Sequence, residues 1–213
     1  MTFAAEKRIM FILSKGIDMP TVIYLHGFAS VGNSEKSKRL VERFGAENVI
    51  APDLPMDPDA AIDAITDAIT DRLDHANPLP LIFVGTSLGG FYAQYMADIH
   101  SAPSVLVNPA VNPAKSLEPM LGKNTNFTTG KTFTLSEEHL DKLSALQGIM
   151  KTFPYQKQIE LFLAKDDAVL DYRDALASIQ KPNSVTVFED GGHRFEAHWD
   201  EAMDKIEELL TSE

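Results

Sequence analysis

The chain predicts an α/β fold, a mainly parallel sheet flanked by helices, on three observations. Short apolar runs rich in β-branched residues alternate with helix-period segments from residue 21 onward. Most of these runs are followed by glycine, proline or polar clusters that read as loops. One such turn, VGTSLGG at 84–90, falls between an apolar run and a helix.

The elements follow in order. Thr21-Val22-Ile23-Tyr24-Leu25 reads as a strand ending in His26-Gly27-Phe28. Residues 34–44 read as a helix with Leu40, Val41 and Phe44 on one side and Gly45 as its stop. Val49-Ile50-Ala51 is a short strand before the loop Pro52-Asp53-Leu54-Pro55. Residues 58–74 place Ile62, Ile65, Ile69 and Leu73 at helical spacing. The strand 81–84 leads into the turn at Ser87, and Phe91 to Ala97 reads as a buried helix. Strands at 105–107, 159–163 and 185–188, a helix at 171–179 and a closing helix complete the pattern. That last helix carries Ala202, Met203, Ile206, Leu209 and Leu210 on one face.

Residues 109–156 break the rhythm with several prolines, a polar stretch at 122–130 and one helix bearing Leu140, Leu143 and Leu146. This segment reads as an insertion forming a small lid within a single domain of 213 residues.

Composition excludes several functions. Apolar residues make up 44% and charged residues 23%, as in a globular chain. The net charge of -12 supplies no strong basic face, so neither nucleic acid nor an anionic membrane is an expected partner. The absence of cysteine rules out disulfides, thiolate catalysis and Cys-ligated metal. No apolar run approaches the ~20 residues of a membrane span. Ile9 to Leu13 is shorter than the roughly 7–15 residues of a signal-peptide core and reads as an edge strand. The cytoplasm is the default compartment.

The turn at 84–90 has the form Gly-x-Ser-x-Gly between a strand and a helix, the setting of a nucleophile elbow. Such a turn strains the serine and presents its Oγ at the carboxyl edge of the sheet. Ser87 is the candidate nucleophile. A serine hydroxyl needs a general base, and the base needs an orienting acid, in the chain order Ser, acid, His on this type of turn. His193 follows the last strand through Gly191-Gly192, so it should lie at the same edge. His198 reads as part of the closing helix, and His75, His100 and His139 fall at helix ends or surfaces. The acid should follow strand 159–163, where both Asp166 and Asp167 stand. Neighbours on an extended loop point to opposite sides, so one is the acid and the other a solvated charge. Two backbone N–H groups, of Phe28 and Leu88, are placed to form an oxyanion hole. His26 and Asn108 are candidate substrate-binding residues; His26 is also read as orienting its loop, and the alternative for Asn108 is a satisfied loop amide.

Six stretches also resemble the YqiA-like esterases, small α/β-hydrolases. They are YLHGFAS at 24–30, VGTSLGG at 84–90, VNPAVNP at 107–113, LGKN…TTGKTFTL at 121–135, DDAVLDYRDA at 166–175 and GGHRF at 191–195. The resemblance implies an α/β-hydrolase fold, hydrolysis of short acyl esters and of acyl thioesters, and no metal or organic cofactor. It implies the triad Ser87, Asp167 and His193, selecting Asp167 by its spacing to Val169-Leu170. Where that family usually carries glycine, this chain has Asp166. Residues 1–18 have no counterpart in it.

The expected function is therefore a serine hydrolase acting on a small acyl ester or thioester. A peptidase or acyltransferase with the same triad, and a non-catalytic binding protein on the same fold, are the alternatives.

Overall fold

The computed structural model describes residues 20–72, 80–153 and 158–211. The expected edge strand at 9–13, Leu73 and His75 lie outside them. Among the described residues six strands form one sheet: β1 (Thr21–Leu25), β2 (Val49–Ile50), β3 (Leu81–Thr86), β4 (Ser104–Val107), β7 (Ile159–Ala164) and β8 (Ser184–Phe188). Their spatial order is β2-β1-β3-β4-β7-β8, and every pairing is parallel.

Parallel strands need crossovers, and helices supply them on both faces. They are α1 (Glu35–Phe44), α2 (Pro58–Arg72), α3 (Leu88–His100), α4 (Pro113–Leu117), α5 (Glu137–Met150), α6 (Tyr172–Ser178) and α7 (Trp199–Thr211). The period-2 alternation of strand side chains splits the core in two. Ile23, Leu25, Phe83, Leu106 and Leu161 face one layer, with Ile65 and Ile69 of α2 and most of α3. Val22, Tyr24, Val84, Val105 and Phe162 face the other, with Leu40 and Phe44 of α1 and Trp199, Met203 and Ile206 of α7. The apolar runs in the sequence are unbroken because both strand faces are covered.

Local chemistry sets the helix ends. The Ser34 side chain accepts from Ser37 N–H at the start of α1, and Gly45, at φ 90°, ends it by donating to Val41 O. Ser136 and His139 form a reciprocal capping box on α5. Asp171 caps α6 and pairs with Arg173.

Four sequence expectations change. Val41 is 37% exposed. Ser37 takes its place on the buried face of α1, its hydroxyl satisfied by Ser34 O at 2.8 Å. His198 precedes α7 rather than lying within it. It stacks on Phe188 with ring centroids 3.9 Å apart and bonds Asp190 and Glu201. Strands β3 and β7 run one or two residues further than the apolar signal, to Thr86 and Ala164.

The fourth concerns the polar stretch at 122–130, for which the sequence pattern marks no element. It holds β5 (Gly122–Thr125), which pairs antiparallel with β6 (Thr132–Leu135) in a hairpin. Asn126 Oδ1 accepts from Thr128 and Thr129 N–H, and Gly130, at φ 70°, completes the turn.

Candidate active site

Ligands in open parallel sheets bind at the carboxyl ends of strands, where the winding direction reverses. Here that point lies between β1 and β3. The β1 end carries His26-Gly27-Phe28, and the β3 end carries Ser87.

Ser87 sits at φ 54° and ψ -123°, a region that costs an L-residue about 1–3 kcal/mol. The surrounding backbone holds it there. Its N–H donates to Val107 O, and its carbonyl accepts from Gly90 and Ala110 N–H. The flanking glycines are steric requirements. A Cβ on Gly85 would lie 2.1 Å from Gly89 O, and one on Gly89 would lie 2.0 Å from Leu25 O. The serine is thus pressed against the β1 loop, and a Cβ on Gly27 would meet Ser87 Cβ at 3.3 Å.

His193 Nε2 lies 3.0 Å from Ser87 Oγ. Its Nδ1 lies 2.9 Å from Asp167 Oδ2 and 3.1 Å from Oδ1. A carboxylate can only accept, so Nδ1 carries the proton and Nε2 is left to accept from the serine. The Asp167 side chain is 1% exposed. Burial opposes its ionisation. The His193 bond and the N–H groups of Leu170 and Val169 outweigh this and hold its carboxyl below the usual range.

Asp166 is exposed, but it is not merely a solvated charge, and its side chain turns to the same segment as that of Asp167. Its Oδ1 accepts from Gly192 N–H at 2.7 Å.

Asn108 does not open onto the cleft; it is 3% exposed, at φ 42°. Its Oδ1 accepts from Ala164 N–H at 2.9 Å, and its Nδ2 donates to Gly192 O at 3.0 Å and His193 O at 3.4 Å. Lys36 donates to the next carbonyl, Arg194 O, and stands over the Trp199 ring. Burial pulls its pKa down to about 8.

His26 is 4% exposed, and burial lowers its pKa. Nδ1 donates to Gly27 O, and Nε2 accepts from Leu54 N–H, both at 2.9 Å. Both nitrogens are thereby engaged in joining the β1 loop to the loop after β2, so neither is left for a substrate, although His26 lines the cleft beside Ser87.

Phe28 and Leu88 line a cleft of about 270 Å³ beside Ser87, with Leu54, Met56, Tyr92 and Phe133. Leu88 is the first residue of α3, so its N–H has no intrahelical acceptor and lies at the positive end of the helix dipole. The hairpin forms the far wall and is stitched to the β1 loop. Phe127 N–H donates to Ala29 O at 2.8 Å, Asn126 Nδ2 donates to Ser30 O at 2.7 Å, and Phe28 meets Phe133 edge-on. These contacts have no clear sequence signal beyond the turn chemistry of Asn126 and Gly130.

Among the described residues no three His, Cys, Asp or Glu side chains are grouped as metal ligands. No helix among them is long and apolar enough to cross a membrane.

Solved structures share this architecture. Mouse alpha/beta hydrolase domain-containing protein 10 superposes with a TM-score of 0.66 at 17% identity, covering 91% of this chain and 90% of that one. The Paleococcus ferrophilus monoacylglycerol lipase gives 0.66 at 15% identity, covering 91% and 96%. Est1E of Butyrivibrio proteoclasticus gives 0.63 at 14%, covering 91% and 87%. The fold is that of the α/β-hydrolases. In sequence, a UPF0227 protein of Shewanella sp. strain ANA-3 is 23% identical over 183 residues, 82% of this chain and 90% of its own length. One from Shewanella oneidensis is 24% identical over 141 residues, 62% and 74%. The description "Uncharacterised protein family (UPF0227)" matches residues 21–211, every motif quoted above included, and so the chain belongs to that family, the YqiA-like group its sequence resembles.

Proposed function

We propose that this protein is a serine hydrolase that cleaves small carboxylic esters or acyl thioesters through an acyl-enzyme, with no metal or organic cofactor. The observation that carries the reading is the continuous Ser87–His193–Asp167 hydrogen-bond chain, with a buried, ionised acid at its far end.

Ser87 Oγ attacks the acyl carbon as His193 Nε2 takes its proton. Asp167 holds Nδ1–H and stabilises the imidazolium that forms. The carbonyl oxygen becomes an oxyanion, facing the N–H groups of Phe28 and Leu88. Collapse expels the alcohol or thiol, which takes the proton from Nε2. Water then repeats the sequence on the acyl-enzyme and releases the acid. The cleft of about 270 Å³ lies just under the ~300 Å³ lower bound of drug-sized sites, which favours a small acyl group. The monoacylglycerol lipase and Est1E among the solved relatives by fold are consistent with ester substrates.

A fluorophosphonate probe should label Ser87 and nothing in Ser87→Ala. A chain-length series of p-nitrophenyl esters and acyl-CoA thioesters should show saturable turnover that favours short chains. Folded wild-type protein that neither labels nor turns over any ester or thioester would refute the proposal.

A further inference from the structure

The general base hangs from a segment with little stiffness of its own. Gly191 and Gly192, at φ 126° and 56°, precede His193, and two consecutive glycines leave the backbone many conformations. A base that must meet a serine within hydrogen-bond reach cannot depend on such a segment unless something else fixes it.

We infer that Asn108 is a positioning residue for the general base, a role that rests on the triad reading above. Asn108 follows β4, and β4 pairs with β3 on one side and β7 on the other. It therefore stands between the strand that delivers Ser87 and the strand that delivers Asp167. Its backbone N–H donates to Phe162 O, and its Oδ1 takes Ala164 N–H, so the residue is locked to the end of β7 from both sides of its own Cα. That leaves Nδ2, whose two hydrogens serve Gly192 O and His193 O. The side chain thus transmits the position of the acid strand to the two peptide groups beside the imidazole.

Asp166 completes the hold from outside by accepting Gly192 N–H, so Gly192 is gripped through both of its peptide groups by side chains from different loops. The amide of Asn108 is required because one group must both accept and donate in a dry site. A carboxylate there would set an oxygen against two carbonyl oxygens. An alanine would leave Ala164 N–H and two carbonyls without their side-chain partner. Asparagine also tolerates the left-handed φ of 42° better than most residues.

The test uses the full chain with Asn108→Asp, which keeps the shape and the acceptor, and Asn108→Gly, which suits the positive φ if the first variant does not fold. Both should lower kcat about 10- to 100-fold with KM within about twofold, the scale of a misplacement near 1 Å. The fluorophosphonate labelling rate should fall in parallel. Independently of activity, the His193 Nδ1–H proton bridging to Asp167 should give a sharp low-field NMR signal in the wild type and broaden or vanish in either variant. A folded variant with kcat within about threefold of wild type and an unchanged signal would overturn the inference. So would a loss confined to KM. If the wild type itself hydrolyses no ester, the triad reading fails. The NMR comparison still decides whether Asn108 holds the imidazole.

Discussion

Replacing Asp167 by asparagine isolates one function of the acid, because the substitution keeps shape and removes only charge and an acceptor. In the native site Oδ1 accepts from Val169 and Leu170 N–H at 2.8 and 3.0 Å, while Oδ2 accepts from His193 Nδ1 at 2.9 Å. An asparagine must keep its one oxygen towards the two backbone donors, or leave both unpaired at about 1–3 kcal/mol each. Its NH2 therefore turns to His193. Nδ1 must then accept, the imidazole proton moves to Nε2, and Nε2 can no longer take the proton of Ser87. The same exchange of the triad aspartate in trypsin costs about 10⁴ in kcat. A loss of that order is expected here, equivalent to about 5.4 kcal/mol in the barrier. Asp166→Asn differs. Its amide oxygen can still accept Gly192 N–H, so activity should fall by only a few-fold, whereas Asp166→Ala removes the contact and should cost more. Initial rates on one ester, with folding checked by near-ultraviolet circular dichroism, measure all three. An Asp167→Asn enzyme with a tenth of wild-type kcat/KM, or an Asp166→Asn enzyme that is the crippled one, would refute the tautomer argument.

Other outcomes rest on the same geometry. Ser87→Ala should cost about 10⁶ in kcat, read by single-turnover ester cleavage. Ser87→Gly should lose as much activity yet raise Tm by some 2–4 °C, because glycine releases about 1 kcal/mol of the strain at φ 54°. Gly89→Ala should prevent native folding, since the new Cβ would lie 2.0 Å from a backbone oxygen; soluble, fully active protein would contradict the packing described. Asp167 has a folded pKa below its unfolded value of about 3.9, so its contribution to stability is present above that value and disappears as pH falls through the folded one. Urea unfolding between pH 5 and 2 should therefore show a smaller loss for Asp167→Asn than for the wild type.

Of the proposed triad, Ser87 and His193 are legible because three rules of different kind meet in them: the glycine spacing around Ser87, the chain order, and the placement of each loop after a strand. These rules leave Asp166 and Asp167 open, and the family resemblance selects Asp167. His193 separates from His198 on position alone, although His198 lies outside the helix that the sequence assigns to it. What the sequence hides are side chains whose role depends on a partner far along the chain. Asp166 reads as a surface charge because nothing near it marks Gly192, some 26 residues on, as its donor. Asn108 reads as a pocket residue or a satisfied amide, and the second description is the geometric one. The hairpin is illegible for another reason. A two-stranded ribbon with one wet face needs few apolar residues, and β5 (Gly122–Thr125) supplies none. Val41 misleads because helical spacing from Leu40 and Phe44 suggests an apolar stripe, while the real contact is narrow enough to prefer a serine at position 37.

The stitching of the hairpin to residues 29 and 30 carries a consequence for how this site can change. A wall that shapes the cleft is bonded to the residues directly after Phe28, the candidate oxyanion donor. Substitutions in the hairpin that widen the cleft for a longer acyl chain will pull on that donor. Selectivity and rate are therefore mechanically linked here. Variants selected for larger substrates should carry a second change between Gly27 and Val31 that restores the donor, and hairpins exchanged between relatives should function only when that loop travels with them.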